Sequence, residues 1–257
     1  FPSIEKLKDA AYKICDAEIA YALFRTGPLG SAIMATSSNK ELERLWKTGR
    51  FQSKPYVLSV LIMADSQKES EFKVRILEEI ITEEGGSVGR GQGEPKDQVR
   101  RQFGHLVTDK SGTVFRPGTY STSMGGWGTL DNVIRQEAIA AETKIPYVKK
   151  GLMMADDVGN PGMVMCEGHY GYEECMHVFD PTDLEGVEAA RKYLEEETSQ
   201  ASLKHRFSVD NFGIFGINGE ALNKLGETCY NFHLWQGKIL KAIDPNGVAE
   251  SSTYLRG

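Results

Sequence analysis

The chain has 257 residues, of which 40% are apolar and 26% charged, and a formal net charge of −6, as in an ordinary soluble globular protein. This acidic balance argues against a nucleic-acid-binding protein, which usually carries a basic face. No apolar run approaches the ~18 residues that a membrane-spanning helix needs, so we expect no membrane span.

Four cysteines are scattered along the chain without a CxxC pair, which argues against a zinc ribbon or a thioredoxin-like site. We expect Cys15, Cys166, Cys175 and Cys229 to be reduced and partly buried. Without a secretory signal peptide, the expected location is the cytoplasm. The first residue is Phe1 rather than Met, which indicates a processed chain or a piece of a longer one.

The N-terminal segment begins with Ser3 as a predicted helix N-cap, followed by apolar residues at helical spacing. The apolar "SAIMATSS" predicts a strand, "NKELERLWKTG" a short helix capped by Asn39, and "PYVLSVLIMAD" a buried strand. The segment "SQKESEFKVRILEEIITEEGG" then predicts a helix with a diglycine stop. Together these elements predict a βαβ-like layer.

Residues from about 86 to 128 are rich in glycine and charge, and we expect an irregular insertion there. Its "GSVGRGQG" lacks the order of a dinucleotide fingerprint and the Lys-Ser/Thr of a P-loop, so a surface loop is the favoured interpretation. The segment "SMGGWG" predicts a bend, although an aromatic residue between glycines could also flank a ligand.

The second half predicts a helix from Asp131 to Glu142, two strands on either side of "GHYGYEE", and a helix over "LEGVEAARKYLEEETSQA". A strand-like segment from Leu203 to Phe215 and two final helices follow. The whole pattern predicts an α+β fold with one antiparallel sheet covered by helices.

Two histidines flank the predicted turn, His169 and His177. Imidazoles brought together across a tight turn could bind a divalent metal, with Glu167 or Glu173 as a third ligand, or they could be ordinary strand-edge residues. Glu173 and Glu174 resemble a general acid/base pair, but neighbouring strand residues face opposite ways.

The last predicted helix carries Trp235 with Leu234, Ile239 and Leu240 at the spacing of a buried face. Packing in the core is therefore favoured over stacking on a cofactor. The helix is expected to stop at "DPNG", because Pro245 cannot continue it and Asn-Gly favours a turn.

That ending, "KAIDPNGV", resembles the terminus of FAD-linked oxidases of the vanillyl-alcohol oxidase / p-cresol methylhydroxylase type. The opening "FPSIEKLKDAAYKICDAEIA", the strand-helix "PYVLSVLIMADSQKESEFKVRILEEIITEEGG", and "CMHVFDPTDLEGVEAARKYLEEETSQA" resemble, in the same order, parts of that family's substrate (cap) domain. The resemblance covers most of the chain except roughly residues 86–161.

The resemblance implies that residues 1–257 form a cap domain whose final helices pack on a separate FAD-binding domain or subunit. It implies hydride transfer from a small hydroxy or aromatic substrate to flavin, and onward to an unidentified electron acceptor. No match to a residue that tethers flavin is found, so FAD is expected to be non-covalent.

The chain departs from the phenol-oxidising branch where a Tyr-Arg pair holds a phenolate, because Phe215 and Gly216 stand there. Its "GHYGYEECMH" instead resembles the "GHxGDGNxH" of relatives that oxidise D-2-hydroxy acids with a divalent metal, although the Asp-Gly-Asn core is replaced. That branch, a non-catalytic scaffold subunit and a metal-dependent binding protein stay open as alternatives.

The predicted site consists of His169, Tyr172 and Glu173 as catalytic residues, His177 and Phe215 as substrate-binding residues, Trp235 and Lys238 as contacts with the flavin half, and His169 and His177 as possible metal ligands.

Overall fold

The structure is a computed structural model that describes residues 1–36, 38–53, 55–89, 121–153, 162–165, 168–177, 179–193, 204–205 and 231–248. Its helices are α1 (Ile4–Asp16), α2 (Pro28–Met34), α3 (Asn39–Trp46), α4 (Gln67–Glu83), α5 (Leu130–Lys149), α6 (Leu184–Lys192) and α7 (Phe232–Ile243). Its strands are β1 (Ala22–Thr26), β2 (Val57–Leu61), β3 (Ser121–Gly128), β4 (Gly162–Met165) and β5 (Tyr170–His177).

The five strands form one sheet in the order β2-β1-β4-β5-β3, and every neighbouring pair is antiparallel. The predicted α+β fold with an antiparallel sheet covered by helices is therefore confirmed. The predicted βαβ-like layer is wrong, because β1 and β2 pair antiparallel.

The main core lies between the sheet and helices α1 and α4. Ala10 and Ile14 of α1 are fully buried, and they cluster with Leu23 of β1 and Ile80 of α4. A second core joins α5 to α6, where the Tyr193 hydroxyl donates a 3.1 Å hydrogen bond to the Ala140 carbonyl. Helices therefore cover one face of the sheet.

Local sequence patterns account for most helix ends. Ser3 accepts a hydrogen bond from the Lys6 amide and caps α1 as predicted. In α3 the cap is Ser38, one residue before the predicted Asn39. Helix α7 ends at Ile243, and Gly247 has φ +64° in the predicted "DPNG" turn. No helix among the described residues is long and apolar enough to cross a bilayer.

Three predicted elements differ from the structure. The predicted strand "SAIMATSS" overlaps helix α2, in which Leu29 and Ala32 pack against Leu42 of α3. Residues 121–128 form strand β3 rather than a bend, so the irregular segment does not reach residue 128. Residues 90–120 lie outside the described residues.

The third difference is "GHYGYEE", most of which belongs to strand β5 rather than to a turn. A side chain at Gly171 would come within 2.8 Å of Leu130 Cδ2 of α5. Glycine is therefore needed there for the close approach of a helix, and it does not mark a turn.

Candidate functional site

The two faces of the sheet differ in what covers them. Leu23 and Leu58 pack against α1 and α4, and Arg25 pairs with Glu137 of α5. Because strand side chains alternate between faces, Phe24 belongs to the opposite face.

We call this opposite surface the Phe24 face. The backbone register aligns Ser59, Phe24, Met163, Tyr172 and Trp127 in one row across all five strands. Phe24 is buried, although it belongs to none of the core clusters formed by described residues, and Tyr172 is half-buried. By the same alternation, the residues of the Phe24 face whose side chains the structure describes are Ala22, Phe24, Val57, Ser59, Leu61, Tyr170 and Tyr172.

On the helix-covered face, Arg25 and Glu137 form a buried ion pair. Both residues are 7% exposed, and the two guanidinium nitrogens Nη1 and Nη2 each donate to a different carboxylate oxygen. Such bidentate pairing fixes both side chains in one geometry. The pair therefore ties β1 to α5 and fixes the sheet beneath the Phe24 face.

The turn that precedes β5 packs on helix α1. Gly168 has φ +88°, and a Cβ there would lie 3.0 Å from the Cys15 Cβ and 3.5 Å from Tyr12 Cδ1. Cys15 is buried and is not part of a disulfide. The exposed His169, which follows Gly168, therefore stands on a backbone that α1 holds in place.

Polar contacts extend this anchoring to α5. The Tyr12 hydroxyl donates a 3.1 Å hydrogen bond to Asp131 Oδ2, and Lys8 Nζ donates a 2.6 Å bond to Oδ1. Partial burial is the main cause that raises the pKa of Tyr12, and the hydrogen bond from Lys8 is the main cause that lowers the pKa of Asp131. These contacts hold α1 and α5 together beside the His169 turn.

The structure changes the geometry on which the two-histidine metal site depends. His169 lies just before β5 and His177 is its last residue, and the strand between them is unbroken. Eight steps of ~3.3 Å separate their Cα atoms by about 26 Å, which is too far for two ligands of one ion. Within the described residues, no group of three or more His, Cys, Asp or Glu is placed to hold a metal ion.

The backbone register separates two of the predicted catalytic residues. Tyr172 is paired with Trp127 in the row that contains Phe24, whereas Glu173, the next residue of β5, is paired with Gly126. His177 is paired with Ser121 at the far end of the strand. The roles predicted for Tyr172, Glu173 and His177 stay predictions.

Helix α7 does not bury the face that its sequence suggests. Leu234, Trp235 and Ile239 are 44%, 63% and 60% exposed, so the prediction that this face packs in the core is wrong. Lys238 Nζ lies 4.8 Å from the Trp235 ring centroid, which is within cation–π range. The predicted contact of Trp235 and Lys238 with a flavin half stays a prediction, and the predicted Phe215 lies outside the described residues.

Sequence reasoning did not find Phe24, Arg25 or Glu137. The one indication in the sequence is a lone arginine inside the apolar strand "ALFRT". A charged residue at a buried strand position needs a partner, but the sequence gives no way to choose Glu137, which is 112 residues away.

Comparison with known proteins gives a structural likeness only. No family model matches the sequence, and no curated protein matches it. A solved structure described as alkyldihydroxyacetonephosphate synthase matches with a TM-score of 0.50 and 13% sequence identity, and the match covers 95% of this chain and 42% of that chain. The chain thus spans less than half the length of that structure. At this identity the likeness concerns the fold alone.

Proposed function

We propose that this chain is the substrate-binding cap part of an FAD-dependent oxidoreductase in which a small substrate gives a hydride to flavin. The observation that carries the proposal is the match to an FAD-linked oxidase-type fold over 95% of this chain but only 42% of the matched structure. A cap part would show this relation to a complete enzyme. The vanillyl-alcohol oxidase / p-cresol methylhydroxylase branch is the subfamily that the sequence motifs favour.

In this proposal residues 1–257 act as one cap domain, and a separate domain or subunit binds FAD. The exposed apolar side of α7, with Trp235 and Ile239, is the surface that would pack on that flavin-binding part. Burial of apolar side chains is the main source of free energy in such an interface.

The Phe24 face fits the ring side of a flavin rather than its phosphates. Phe24 in this row is already buried, and the half-buried ring of Tyr172 is the flat surface against which a substrate could lie between sheet and ring. FAD would supply the hydride acceptor, and this chain would orient the substrate and exclude water. Tyr172 and His169 are the hydrogen-bond donors of this chain that would meet the substrate.

One sequence feature favours a second candidate, a non-catalytic scaffold that docks on a flavoprotein. Phe215 and Gly216 stand where the phenol-oxidising branch carries its Tyr-Arg pair. In a scaffold, replacement of His169 and Tyr172 would leave turnover of the assembled enzyme unchanged. In a catalytic cap, the His169→Gln and Tyr172→Phe variants would each lower kcat/KM by about tenfold or more.

The test is to isolate the protein from its source, record its visible spectrum and identify the associated polypeptides by mass spectrometry. We expect a flavin absorption band, together with either a longer parent chain or a tightly bound partner that contains an FAD-binding domain. A colourless preparation of this chain alone would overturn the proposal. Denaturation with acid, followed by filtration, should release the flavin if it is non-covalent.

A further inference from the structure

The turn that follows helix α7 contains an Asn-Gly pair, Asn246 and Gly247. Both residues are exposed, as are Pro245 before them and Val248 after them. Gly247 has φ +64°, and no atom lies within 4 Å of the place that a Cβ would occupy. The pair therefore lies in an open turn at the surface, with free space around Gly247.

Two hydrogen bonds from backbone amides shape this turn, and Asp244 accepts both. The Gly247 amide donates a 3.2 Å bond to the Asp244 carbonyl, and the Val248 amide donates a 3.0 Å bond to Asp244 Oδ1. The first bond has a length at the upper end of the ordinary range for N–H···O bonds. Because Gly247 is exposed, water can replace the carbonyl as the partner of its amide at little cost in free energy.

We propose that Asn246 is a site of spontaneous deamidation, in which the Gly247 nitrogen attacks the carbonyl carbon of the Asn246 side chain. The Gly247 nitrogen gives up its proton, the new C–N bond closes a five-membered succinimide ring, and the side-chain nitrogen leaves as ammonia. Water then opens the ring at either carbonyl and yields aspartate or isoaspartate. No oxidant or reductant is needed, and the inference does not depend on the proposed function.

Glycine favours this reaction for a steric reason. A side chain on the attacking residue would crowd the forming ring, and at the φ of Gly247 it would also strain the backbone. The other described asparagines are followed by lysine, valine or phenylalanine, and they are Asn39, Asn132 and Asn231. Asn246 is therefore the described asparagine whose surroundings favour the reaction most.

Deamidation would place a negative charge just beyond the end of α7. Both products carry a carboxylate at position 246, near Asp244 and after the last helical residue, Ile243. The carbonyl end of a helix disfavours negative charge and favours cations such as Lys241 in its last turn. Isoaspartate also adds one carbon to the backbone of the turn. The reaction is thus a slow charge change beside the exposed apolar side of α7.

The test is incubation of the purified protein at 37 °C, at pH 7 and at pH 8, followed by peptide mapping with mass spectrometry. We expect conversion at Asn246 to be at least about tenfold faster than at Asn132 and Asn231, for which a barrier lower by about 1.4 kcal/mol suffices. Conversion should be faster at pH 8, because base removes the amide proton of Gly247. The map also distinguishes the Asn-Gly pair at Asn218, which lies outside the described residues.

Two variants separate this reaction from general degradation of the protein. Gly247→Ala should slow the conversion of Asn246 and leave that of Asn132 unchanged. Asn246→Asp carries the charge of one product from the start, and on anion exchange it should elute with the aspartate form of the incubated parent chain. Circular dichroism during the incubation verifies that each protein stays folded.

The inference is overturned if Asn246 reacts no faster than Asn132 and Asn231 in the folded protein. It is also overturned if Gly247→Ala leaves the rate at Asn246 unchanged, because the attack would then not pass through the Gly247 nitrogen in the way proposed. Release of ammonia, measured with glutamate dehydrogenase, should match the amount of converted Asn246 together with any converted Asn218.

Discussion

At the scale of single residues, the buried pair of Arg25 and Glu137 makes a prediction about stability. Removing one partner leaves an uncompensated buried charge, so Arg25→Ala and Glu137→Ala should each lower the free energy of unfolding by about 3–5 kcal/mol. Replacement of both by apolar residues of similar volume, Arg25→Met with Glu137→Leu, should cost much less than either single change. Urea unfolding of the three variants measures this.

Adding the double variant Arg25→Ala with Glu137→Ala completes a double-mutant cycle. A loss in that variant equal to the sum of the two single losses would contradict the pairing, because the coupling energy would then be near zero. The single alanine variants should also show the larger loss in thermal unfolding, because desolvation of the remaining charge opposes folding.

Gly168 gives a second prediction at this scale. In Gly168→Ala the backbone would have to keep φ +88°, and the added Cβ would lie 3.0 Å from the Cys15 Cβ. Gly49→Ala is the matched control, because Gly49 also has positive φ, +69°, but no atom lies within 4 Å of the place its Cβ would occupy. We expect Gly49→Ala to cost about 1 kcal/mol from backbone strain alone, and Gly168→Ala to cost distinctly more in the same unfolding measurement.

The glycines also show why residue roles are hard to predict. In "GHYGYEE" the sequence suggests a turn, yet Gly171 sits in a strand because Leu130 of α5 occupies the space of its side chain. Turn and close packing call for the same residue type. Only the position of a helix that begins much earlier in the chain distinguishes them, and a local pattern does not contain that position.

At the scale of secondary-structure elements, the contact between α1 and α4 is predicted to depend on pH. Lys13 Nζ and Lys6 Nζ lie 2.6 Å and 2.7 Å from the Glu84 carboxylate oxygens. These hydrogen bonds lower the pKa of Glu84 below its ordinary value of 4.5. The carboxylate therefore stabilises the folded chain at pH values above its unfolded pKa, and this contribution is lost as the pH falls through the lower folded pKa.

The check is the free energy of unfolding of the parent chain and of Glu84→Gln between pH 7 and pH 3. The variant should be less stable at pH 7. The difference should begin to shrink as the pH falls below the ordinary value of 4.5, and it should vanish as the pH falls through the lower folded pKa, where the folded carboxyl is protonated. A difference that is constant with pH would rule out the charged contacts as its cause.

Helices that have a capping residue and apolar residues at helical spacing over several turns can be predicted from the sequence, whereas short helices cannot. The predictions of α1 and α4 are confirmed because serine caps begin both helices and their apolar residues recur at helical spacing. Helix α2 resembles a strand in the sequence because seven residues are too few to show a period. Its Pro28, a residue suited to the first turn of a helix, is the indication that the pattern offers.

At the scale of the whole molecule, substitutions on the exposed side of α7 are predicted to affect assembly but not the stability of this chain. Ile239 and Ile243 are 60% and 75% exposed, so Ile239→Gln with Ile243→Gln should change the free energy of unfolding of this chain by less than about 1 kcal/mol. The fully buried Ile14 is the contrast, and Ile14→Ala should cost about 2–5 kcal/mol.

The same α7 variant should weaken association with the proposed flavin-binding part. Co-purification or analytical ultracentrifugation of the assembled protein measures this loss, and Lys204→Gln serves as a control at another exposed position. Normal assembly of the doubly substituted chain would show that this surface contacts neither a domain nor a subunit.

The sheet order has a consequence for the route by which the chain folds. Strands β1 and β2 come from the first 61 residues, whereas β3 and β5 come from residues 121–177. Strand β4 joins the two groups, because it forms three residue pairs with β1, from Leu23–Val164 to Arg25–Gly162. Contacts between residues so far apart in sequence close a large loop and form slowly. The pairing of β1 with β4 is therefore the expected late step, and two fragments cut between residues 90 and 120 should reassociate along it when mixed.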